Sequence, residues 1–343
     1  MRKIFLTGPR QLELRGAPFP DFSTAGPHDV LINVASVGLC GSDLHYYRAG
    51  RIGSQVVEYP FCIGHEFAGH VLATGGAVEN LAVGDRVAVD PAIPCLDCDQ
   101  CRANRRHTCR RLLFLGCPGQ REGCLRDQII MPAHCCMILP DNLTCDDGAL
   151  LEPLAIGLYT TRLAPPFTGR AIAILGAGPV GLSTLIAARA QNPARVDVSE
   201  PLECRRAVAM QCGATRAAAP DVFENDARGA HEYDVVFECS GDPDAVRQAL
   251  RALAPGGALV LVGIPETNPV PFDMDLMRRK EITLRNVRRQ NNCAGDALKL
   301  FQQDPSAARA MLTHAVEPAD CAATFRKLDA YSDNIIKAIV RFA

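Results

Sequence analysis

Four cysteines in one short loop constrain the fold of this chain more than any other sequence feature. Cys95, Cys98, Cys101 and Cys109 are separated by two, two and seven residues. Thiolates this close in sequence can converge on one tetrahedral ion, and zinc favours a closed shell of four sulfurs. Ferredoxin-type iron–sulfur ligands begin with the same spacing, but their last cysteine follows after a shorter gap and precedes a proline. We therefore predict a structural zinc ion without an open coordination position, so the chemistry must lie elsewhere.

Length and charge exclude several classes of partner. A chain of 343 residues suggests two domains, and a formal net charge of -2 points neither to nucleic acid nor to an anionic membrane. No apolar run approaches the ~20 residues of a membrane span, and the N-terminus lacks the long apolar segment of a secretory signal. Sixteen cysteines in this context indicate reduced thiols and metal ligands. We expect a cytoplasmic protein.

The predicted secondary structure of the chain changes near residue 169. Before it, short β candidates such as VLINVASV (30–37) alternate with glycine and proline turns. After it, the apolar strand AIAIL (171–175) opens an alternation of strands and helices, which predicts a parallel doubly wound sheet. Further strands are predicted at 195–199, 233–240, 258–263 and 281–287, with helices at 180–190, 244–253 and 296–303. The expected fold class is α/β.

A glycine-rich turn follows strand 171–175. Gly176, Gly178 and Gly181 fit G-x-G-x-x-G, with Pro179 and Val180 between the last two glycines. In such a turn the first glycine allows the tight bend, the second lets the backbone approach a pyrophosphate, and the third lets helix and strand pack closely. The helix N-terminus offers free N–H groups to the phosphates. The motif predicts a dinucleotide site.

An acidic residue closes the second strand of this region. Glu200 lies about 20 residues beyond the glycine turn, where a carboxylate can accept hydrogen bonds from the adenosine ribose. It would repel a 2′-phosphate, which predicts NAD rather than NADP. Arg205 is a further candidate contact to the cofactor, and together with Arg206 it keeps NADP open as an alternative, because a nearby arginine can hold a 2′-phosphate.

A second set of candidate metal ligands is dispersed along the chain. Cys40, His65 and a carboxylate from Glu66 or Glu152 form a mixed sulfur, nitrogen and oxygen set. Such a set suits a zinc ion with one coordination position left for water or substrate. Separation in sequence does not by itself bring these residues together, and a buried cysteine and a core histidine are the default alternative.

The chain resembles the zinc-containing medium-chain dehydrogenase/reductase superfamily over nearly its whole length. GHEFAGHVLATGGAV (64–78) matches the family's zinc signature, G-H-E-x2-G-x5-[GA]-x2-[IVSAC], at every specified position. GDRV (84–87), the four-cysteine loop, Glu152-Pro153 and GAGPVG (176–181) follow in the family's order. The two ligand sets, one closed and one open, predict two zinc ions per chain, one structural and one catalytic, and the expected dinucleotide is NAD.

This resemblance implies a domain organisation and an assembly. It places a GroES-like β-rich catalytic domain at 1–155, a Rossmann NAD-binding domain at 156–290 and a C-terminal return to the catalytic domain at 291–343. The catalytic zinc of the family lies in the cleft between the two domains. Relatives are commonly homodimers or homotetramers, which we expect here as well.

Within the superfamily the chain is most similar to the polyol branch, which includes sorbitol and xylitol dehydrogenases. The similarity is carried by CGSDLHYYRAGRIG (40–53) and LPDNLTCDDGALLEPLAIGLY (139–159). By resemblance, the catalytic zinc is held by Cys40, His65 and Glu66, and Glu152 binds it directly or through water.

The resemblance also implies roles for residues beyond the metal ligands. Ser42 matches the proton-relay hydroxyl, and His45 matches a further relay position. Tyr46 and Arg289 match positions that line the polyol pocket. The chain departs from the branch at three places, which are Arg288-Arg289-Gln290 for Phe-Arg-Tyr, Asn192-Pro193 for a glycine turn, and Asp197 within the second strand.

The function expected from these features is NAD-dependent oxidation of a secondary alcohol of a polyol to a ketose. The alternative enzyme is a sugar-acid dehydrogenase of the idonate 5-dehydrogenase type, in which Arg288 or Arg289 would bind a carboxylate. A non-catalytic dinucleotide or redox sensor is the alternative from another class. The intact set of ligands argues against a sensor, which would have little reason to keep an open zinc position.

Overall fold

The computed structural model describes residues 1–227, 232–266 and 269–342. Its contacts divide the chain into two units, of which the first comprises Met1–Glu152 with Leu312–Ala343 and the second Pro153–Met311. Residues 291–311, expected in the C-terminal return, thus belong to the second unit. The physical reason is local packing, since the Cys212 thiol contacts the Ala307 carbonyl oxygen at 3.3 Å and Ser183 contacts Met311 at 3.7 Å.

The first part of the chain is rich in strands. Its strands, β1 to β11, are Arg2–Gly8, Gln11–Gly16, Asp29–Gly38, Arg51–Ile52, Gln55–Val56, Glu66–Thr74, Arg86–Val89, Ala92–Ile93, Leu113–Phe114, Gln128–Pro132 and Cys136–Ile138. Its helices, α1 to α4, are Gly41–Ala49, Asp99–Arg102, Cys145–Ala149 and Leu151–Leu163.

The second part alternates strands and helices. Its strands, β12 to β17, are Ala171–Leu175, Arg195–Ser199, Arg216–Ala218, Tyr233–Glu238, Leu253–Leu261 and Thr283–Asn286. Its helices, α5 to α11, are Pro179–Arg189, Glu203–Gln211, Pro220–Ala227, Pro243–Ala252, Met274–Arg279, Ala294–Gln303 and Pro305–Ala310. The chain then returns to the first unit through β18, α12 and β19, which are Leu312–Val316, Cys321–Asp329 and Lys337–Arg341.

The main sheet of the first unit is built around β3. Strands follow the order β11-β7-β6-β3-β19-β18, and β10 also pairs with β3. Residues 29–33 of β3 alternate between half-buried and buried, and all residues from Val34 to Gly38 are buried. The last strand, β19, pairs antiparallel with β3, with Ile339 opposite Gly38. The C-terminal return expected from the sequence is therefore present from residue 312 onward.

The sheet of the second unit has the order β14-β13-β12-β15-β16-β17, and its neighbouring strands are parallel. Written in order of appearance this is 3-2-1-4-5-6, the order of a dinucleotide-binding Rossmann fold. The strand order reverses between β12 and β15, so the switch point lies at the carboxyl ends of these two strands. The predicted doubly wound sheet is confirmed.

Two departures from the family pattern have local explanations. Asp197 lies within β13 and is buried, but the Tyr233 hydroxyl donates a hydrogen bond to its carboxylate at 2.7 Å and Arg195 lies 3.3 Å away. Asn192 takes a left-handed backbone with φ of 53°, and its carbonyl oxygen accepts from the Gly169 N–H at 2.9 Å. Asparagine tolerates this conformation better than most residues, so it replaces the expected glycine.

The helices α1 and α4 do not appear among the helices predicted from the sequence. Each carries predicted site residues, which were located only through the resemblance. Over the described ranges, the helices are too short or too polar for a bilayer span.

Candidate functional site

The four cysteine sulfurs of the loop lie around one point. Sγ–Sγ distances are 3.4 Å for Cys95–Cys109, 3.6 Å for Cys98–Cys101 and 3.8 Å for Cys98–Cys109. Thiolates bound at about 2.3 Å to one tetrahedral zinc ion would be separated by about 3.8 Å. Disulfide bonds are much shorter, and all four thiols are free. The loop therefore fits a structural zinc ion, as predicted.

The backbone of the loop prepares two of these sulfurs for metal binding. Hydrogen bonds from backbone N–H groups, chiefly that of Asp97, lower the pKa of Cys95 to about 6. The Arg110 N–H makes the largest contribution to a lowered pKa of Cys98. Burial has the opposite effect on Cys101 and raises its pKa to about 12. Metal binding would supply the charge that holds this buried sulfur as a thiolate.

A second group of candidate ligands meets in the first unit. Cys40 directly precedes α1, His65 directly precedes β6, and Glu66 is the first residue of β6. One donor atom from each of the three lies within 4.8 Å of the others. Thiolate, imidazole and carboxylate donors suit zinc, and three protein ligands leave a tetrahedral position open. The predicted catalytic ligands Cys40, His65 and Glu66 are thus brought together.

Asp43 connects the two segments that carry these ligands. Its buried carboxylate accepts hydrogen bonds from the Cys40 N–H at 3.1 Å and the Gly64 N–H at 3.0 Å. One of its oxygens also lies 3.5 Å from Nδ1 of His65, which leaves Nε2 for a metal ion. Carboxylates commonly orient metal-binding histidines in this way. Asp43 is therefore a positioning residue.

Burial and neighbouring charges shift the pKa values of His65 and Glu152. Burial lowers the pKa of His65, but the charges of Asp43 and Cys40 outweigh it and raise that pKa well above the ordinary value. Burial raises the pKa of Glu152 to about 7, an effect that His65 opposes and Glu66 reinforces. Zinc requires neutral imidazole and ionised thiolate, so metal binding would displace protons from this site.

Lys337 is a functional residue that the sequence analysis missed. It opens β19 and is 1% exposed, and its ammonium group donates to the Leu39 carbonyl oxygen at 3.0 Å and pairs with the Glu66 carboxylate. Glu66 lies opposite Gly38 in the sheet, and a Cβ on Gly38 would overlap the Glu66 carboxylate. The available signal was a lone lysine between apolar residues in the strand-like sequence IIKAIVRF.

The other predicted catalytic and substrate residues occupy distinct places. Glu152 lies in the first turn of α4, and within the described residues the group of converging ligand atoms does not include it. Ser42 and His45 are half-buried and one turn apart on α1. Tyr46, one turn after Ser42, is buried with its hydroxyl 3.3 Å from Gln55 Oε1. Arg289 lies in the second unit, half-buried, with φ of 57°.

The glycine turn of the second unit has the geometry that its motif predicts. Gly176 has φ of 94°, a conformation that favours glycine. A Cβ on Gly181 would overlap the Gly176 carbonyl oxygen, so helix and turn pack too closely for a side chain. Pro179 and Val180 open α5 behind Gly178, and Pro179 occupies its first position. The turn can therefore accept phosphate groups at the helix N-terminus.

Glu200 and Arg205 flank this turn. The Glu200 carboxylate is buried and accepts from the Ala177 N–H at 2.7 Å and the Leu202 N–H at 3.0 Å. The Arg205 guanidinium lies 4.0 Å from Glu200 and 3.8 Å from the place of a Cβ on Gly178. The acid thus lies beside the predicted dinucleotide turn, and the guanidinium faces the turn at the position where a pyrophosphate would approach.

Comparison with known proteins agrees with this geometry. Residues 26–141 match the family described as alcohol dehydrogenase GroES-like domain, and residues 179–303 match zinc-binding dehydrogenase. The chain is similar to a sorbitol dehydrogenase of Bacillus subtilis, with 37% identity over 85% of this chain and 83% of that protein. It is also similar to an L-idonate 5-dehydrogenase of Vitis vinifera, with 32% identity over 90% of this chain and 86% of that protein.

Among solved structures, the chain is similar to a dehydrogenase from Sinorhizobium meliloti that is described as zinc-binding and is bound to NADP. The TM-score is 0.87 with 28% identity, over 99% of this chain and 98% of the other. The two groups of converging ligand atoms fit the zinc ions of a zinc-binding dehydrogenase family.

The loop geometry predicts that Cys98→Ser removes one zinc ion per chain and lowers the melting temperature by several degrees. The loop relies on its metal because few apolar residues hold it. Zinc content and thermal melting should be measured beside Cys145→Ser, a half-buried cysteine of the same unit outside the loop, which should change neither. Stoichiometric iron and sulfide in the wild type would contradict the assignment.

The buried ion pair predicts that Lys337→Met destabilises the zinc-free protein by about 3–5 kcal/mol, because it leaves the Glu66 carboxylate buried without a cation. Zinc should reduce this loss, since the metal supplies positive charge to the same carboxylate. Chemical denaturation with and without chelator provides the measurement. Lys327→Met removes an exposed pair with Asp333 and should cost about 1 kcal/mol or less. Equal losses in the two variants would refute the role given to Lys337.

Proposed function

The chain belongs to the zinc-containing medium-chain dehydrogenase/reductase superfamily, in its polyol dehydrogenase branch, and from this premise we propose that it oxidises a secondary alcohol of a polyol to a ketose with NAD. The observation that carries the proposal is the convergence of Cys40, His65 and Glu66 with a fourth metal position open. A polyol offers adjacent hydroxyl groups, and the similarity to a sorbitol dehydrogenase supports this class of substrate.

The roles of the site residues follow from their positions. Zinc held by Cys40, His65 and Glu66 would act as a Lewis acid on the substrate hydroxyl, while NAD would accept the hydride. Glu152 carries a carboxyl close enough to His65 and Glu66 to interact with their charges, so it can serve as an additional ligand, directly or through water. Asp43 fixes the imidazole, and Lys337 balances the charge of Glu66.

The proton of the alcohol needs a route to solvent. Ser42 follows the Cys40 ligand by two residues, so its hydroxyl is the first side-chain group on α1 that can accept and pass on this proton. His45 is one turn further along the same helix, and its imidazole can accept the proton and pass it outward. Tyr46, on the adjacent position, is assigned to the wall of the substrate pocket.

The cofactor preference proposed is NAD over NADP. Glu200 is buried beside the glycine turn, and a second negative charge on the adenosine ribose would meet its carboxylate. The Arg205 guanidinium near Gly178 is assigned to the dinucleotide phosphates common to both cofactors. A relative with this fold is bound to NADP, so the proposed preference for NAD rests on Glu200.

A sugar-acid dehydrogenase is the second candidate, and it is favoured by Arg289 and by the similarity to an L-idonate 5-dehydrogenase. Arg289 is held in a left-handed backbone, a strained conformation that persists where surrounding structure fixes it. An arginine guanidinium at this position could bind a carboxylate bidentately. A non-catalytic sensor receives no support from the intact ligand set. We also propose a cytoplasmic homodimer or homotetramer, in keeping with sixteen free thiols and with the family.

The proposed reaction predicts NAD reduction by the zinc-loaded protein with sorbitol or xylitol, and loss of that activity in Cys40→Ser by at least about a thousandfold. Thermal melting of Cys40→Ser should stay near that of the wild type, because its unit has its own core, in contrast to Cys98→Ser. The assay panel should include a sugar acid and a simple secondary alcohol. Higher kcat/KM for the sugar acid would select the second candidate, and an active Cys40→Ser would contradict the catalytic site.

The charge of Glu200 predicts that Glu200→Gln narrows the preference for NAD over NADP by about tenfold or more, since juxtaposed like charges cost several kcal/mol. Dissociation constants of both cofactors measured by calorimetry would show this. Glu203→Gln is the matched control, since this acid is exposed on α6 three residues away and should leave the ratio unchanged. Equal affinities of the wild type for the two cofactors would refute the preference and assign Arg205 or Arg206 to the 2′-phosphate.

A further inference from the structure

Glu238 is a buried acid at the switch point of the second unit. It is the last residue of β15, which pairs with β12 where the strand order reverses. In this class of sheet, the dinucleotide lies across the crevice at that point. The loops after the two strands adjoin each other, because a Cβ on Gly176 would lie 3.0 Å from Ser240. Glu238 therefore lies directly behind a loop that borders the dinucleotide crevice.

The position of Glu238 assigns it to one half of the cofactor. Strands β12 to β14 form one mononucleotide-binding half, in which Glu200 marks the adenosine side. Strands β15 to β17 form the other half, which takes the nicotinamide nucleotide. Glu238 belongs to this second half, and it forms hydrogen bonds with the loop after β15 and with the loop after β16. Its backbone carbonyl oxygen accepts from the Val262 and Gly263 N–H groups at 2.8 and 3.0 Å.

The carboxylate of Glu238 is held by neutral donors. Its Oε1 accepts from the Ser240 N–H at 2.7 Å, the Ser240 hydroxyl at 2.5 Å and the Gly241 N–H at 2.9 Å. Three donors directed at one oxygen suit the ionised form, which only accepts. The other carboxylate oxygen, Oε2, is close to Gly263, because a Cβ on Gly263 would lie 2.7 Å from it. The residue is 1% exposed.

The two buried acids of this unit differ in how their charge is balanced. Glu200 has the Arg205 guanidinium at 4.0 Å. For Glu238, the largest influences on the carboxyl are its burial, the donors on Ser240 and Gly241 and the like charge of Asp242, with no cation among them. Burial raises the pKa of Glu238, and the donors on Ser240 and Gly241 oppose this rise. A buried anion in this condition is stabilised by any cation that approaches it.

We propose that Glu238 is an electrostatic positioning residue of the second unit. Its carboxylate raises the affinity for oxidised nicotinamide dinucleotide relative to the affinity for the reduced form. The oxidised nicotinamide ring carries a positive charge that the reduced ring lacks, whereas the adenosine halves of the two forms are identical. Glu238 attracts only the oxidised ring, through a low-dielectric part of the protein. Reduced cofactor formed by alcohol oxidation does not gain this attraction, so the ratio of the two affinities shifts toward the oxidised form.

This inference rests on nicotinamide-dinucleotide binding by the second unit and is independent of the substrate and of the metal. It concerns the ratio of two equilibrium constants, so the test does not need turnover. It also differs from a purely structural role of Glu238 in holding its loop, since loosening the loop would weaken both redox forms together.

The test compares dissociation constants for NAD⁺ and NADH in the full-length protein, by calorimetry for NAD⁺ and by fluorescence for NADH. Glu238→Gln is expected to weaken NAD⁺ binding by about threefold to tenfold relative to NADH, as expected for one charge pair separated by several ångströms in a partly shielded site. Glu200→Gln is the matched control, because it acts on the adenosine half and should change both constants by the same factor.

Glu238→Asp keeps the charge while loosening the contacts to Ser240. It should preserve the ratio of the two constants within about twofold, even where both constants rise. If Glu238→Asp loses the wild-type ratio of the dissociation constants for NAD⁺ and NADH, that result alone overturns the inference. The inference can therefore be tested even where the glutamine variant does not fold. Equal weakening of both forms in Glu238→Gln also overturns it and assigns the residue a structural role. A wild type that binds neither form would refute the dinucleotide site together with the inference.

Discussion

The buried pair between Lys337 and Glu66 is the interaction on which the architecture of the metal site depends. It brings together a residue from β19 and one from β6, with β3 between them supplying Gly38, whose missing side chain makes room. Burying a carboxylate costs free energy unless hydrogen bonds or a cation compensate for it, and zinc and Lys337 can each supply positive charge to Glu66. The return of the chain end to the first unit is therefore part of the metal site as well as part of the fold.

The two metal sites obtain their geometry in different ways. The cysteine loop carries its ligands close together in sequence, and its own backbone N–H groups lower the pKa of Cys95 and Cys98. The catalytic ligands come from the start of α1 and the start of β6, and Asp43 joins these two segments through hydrogen bonds to both. The first site is a local property of a short segment, whereas the second exists only once the sheet has formed.

The second unit uses two buried glutamates for one ligand. Glu200 supports the glycine turn and lies beside an arginine, while Glu238 supports the neighbouring loop and is held by neutral donors. The dinucleotide has a constant charge in its phosphate and adenosine portion and a variable charge on its nicotinamide ring. Glu200, with an arginine nearby, lies on the side of the constant charge, and Glu238, held by neutral donors, lies on the side of the variable charge. The same end of the sheet can therefore recognise the cofactor and respond to its redox state.

Sequence alone determined those features whose physical cause is local. The spacing of Cys95 to Cys109 and the turn from Gly176 to Gly181 specify their geometry within a few residues, and strands such as 171–175 and 195–199 were predicted with the bounds that the structure has. Resemblance, rather than periodicity, identified Cys40, His65 and Glu66 as one set. Only the tertiary structure decided that Lys337 meets Glu66, that residues 291–311 join the second unit, and that Glu238 is held by neutral donors. These depend on contacts between residues distant in sequence, and the energy of a buried charge is set by every group around it, which no local pattern encodes.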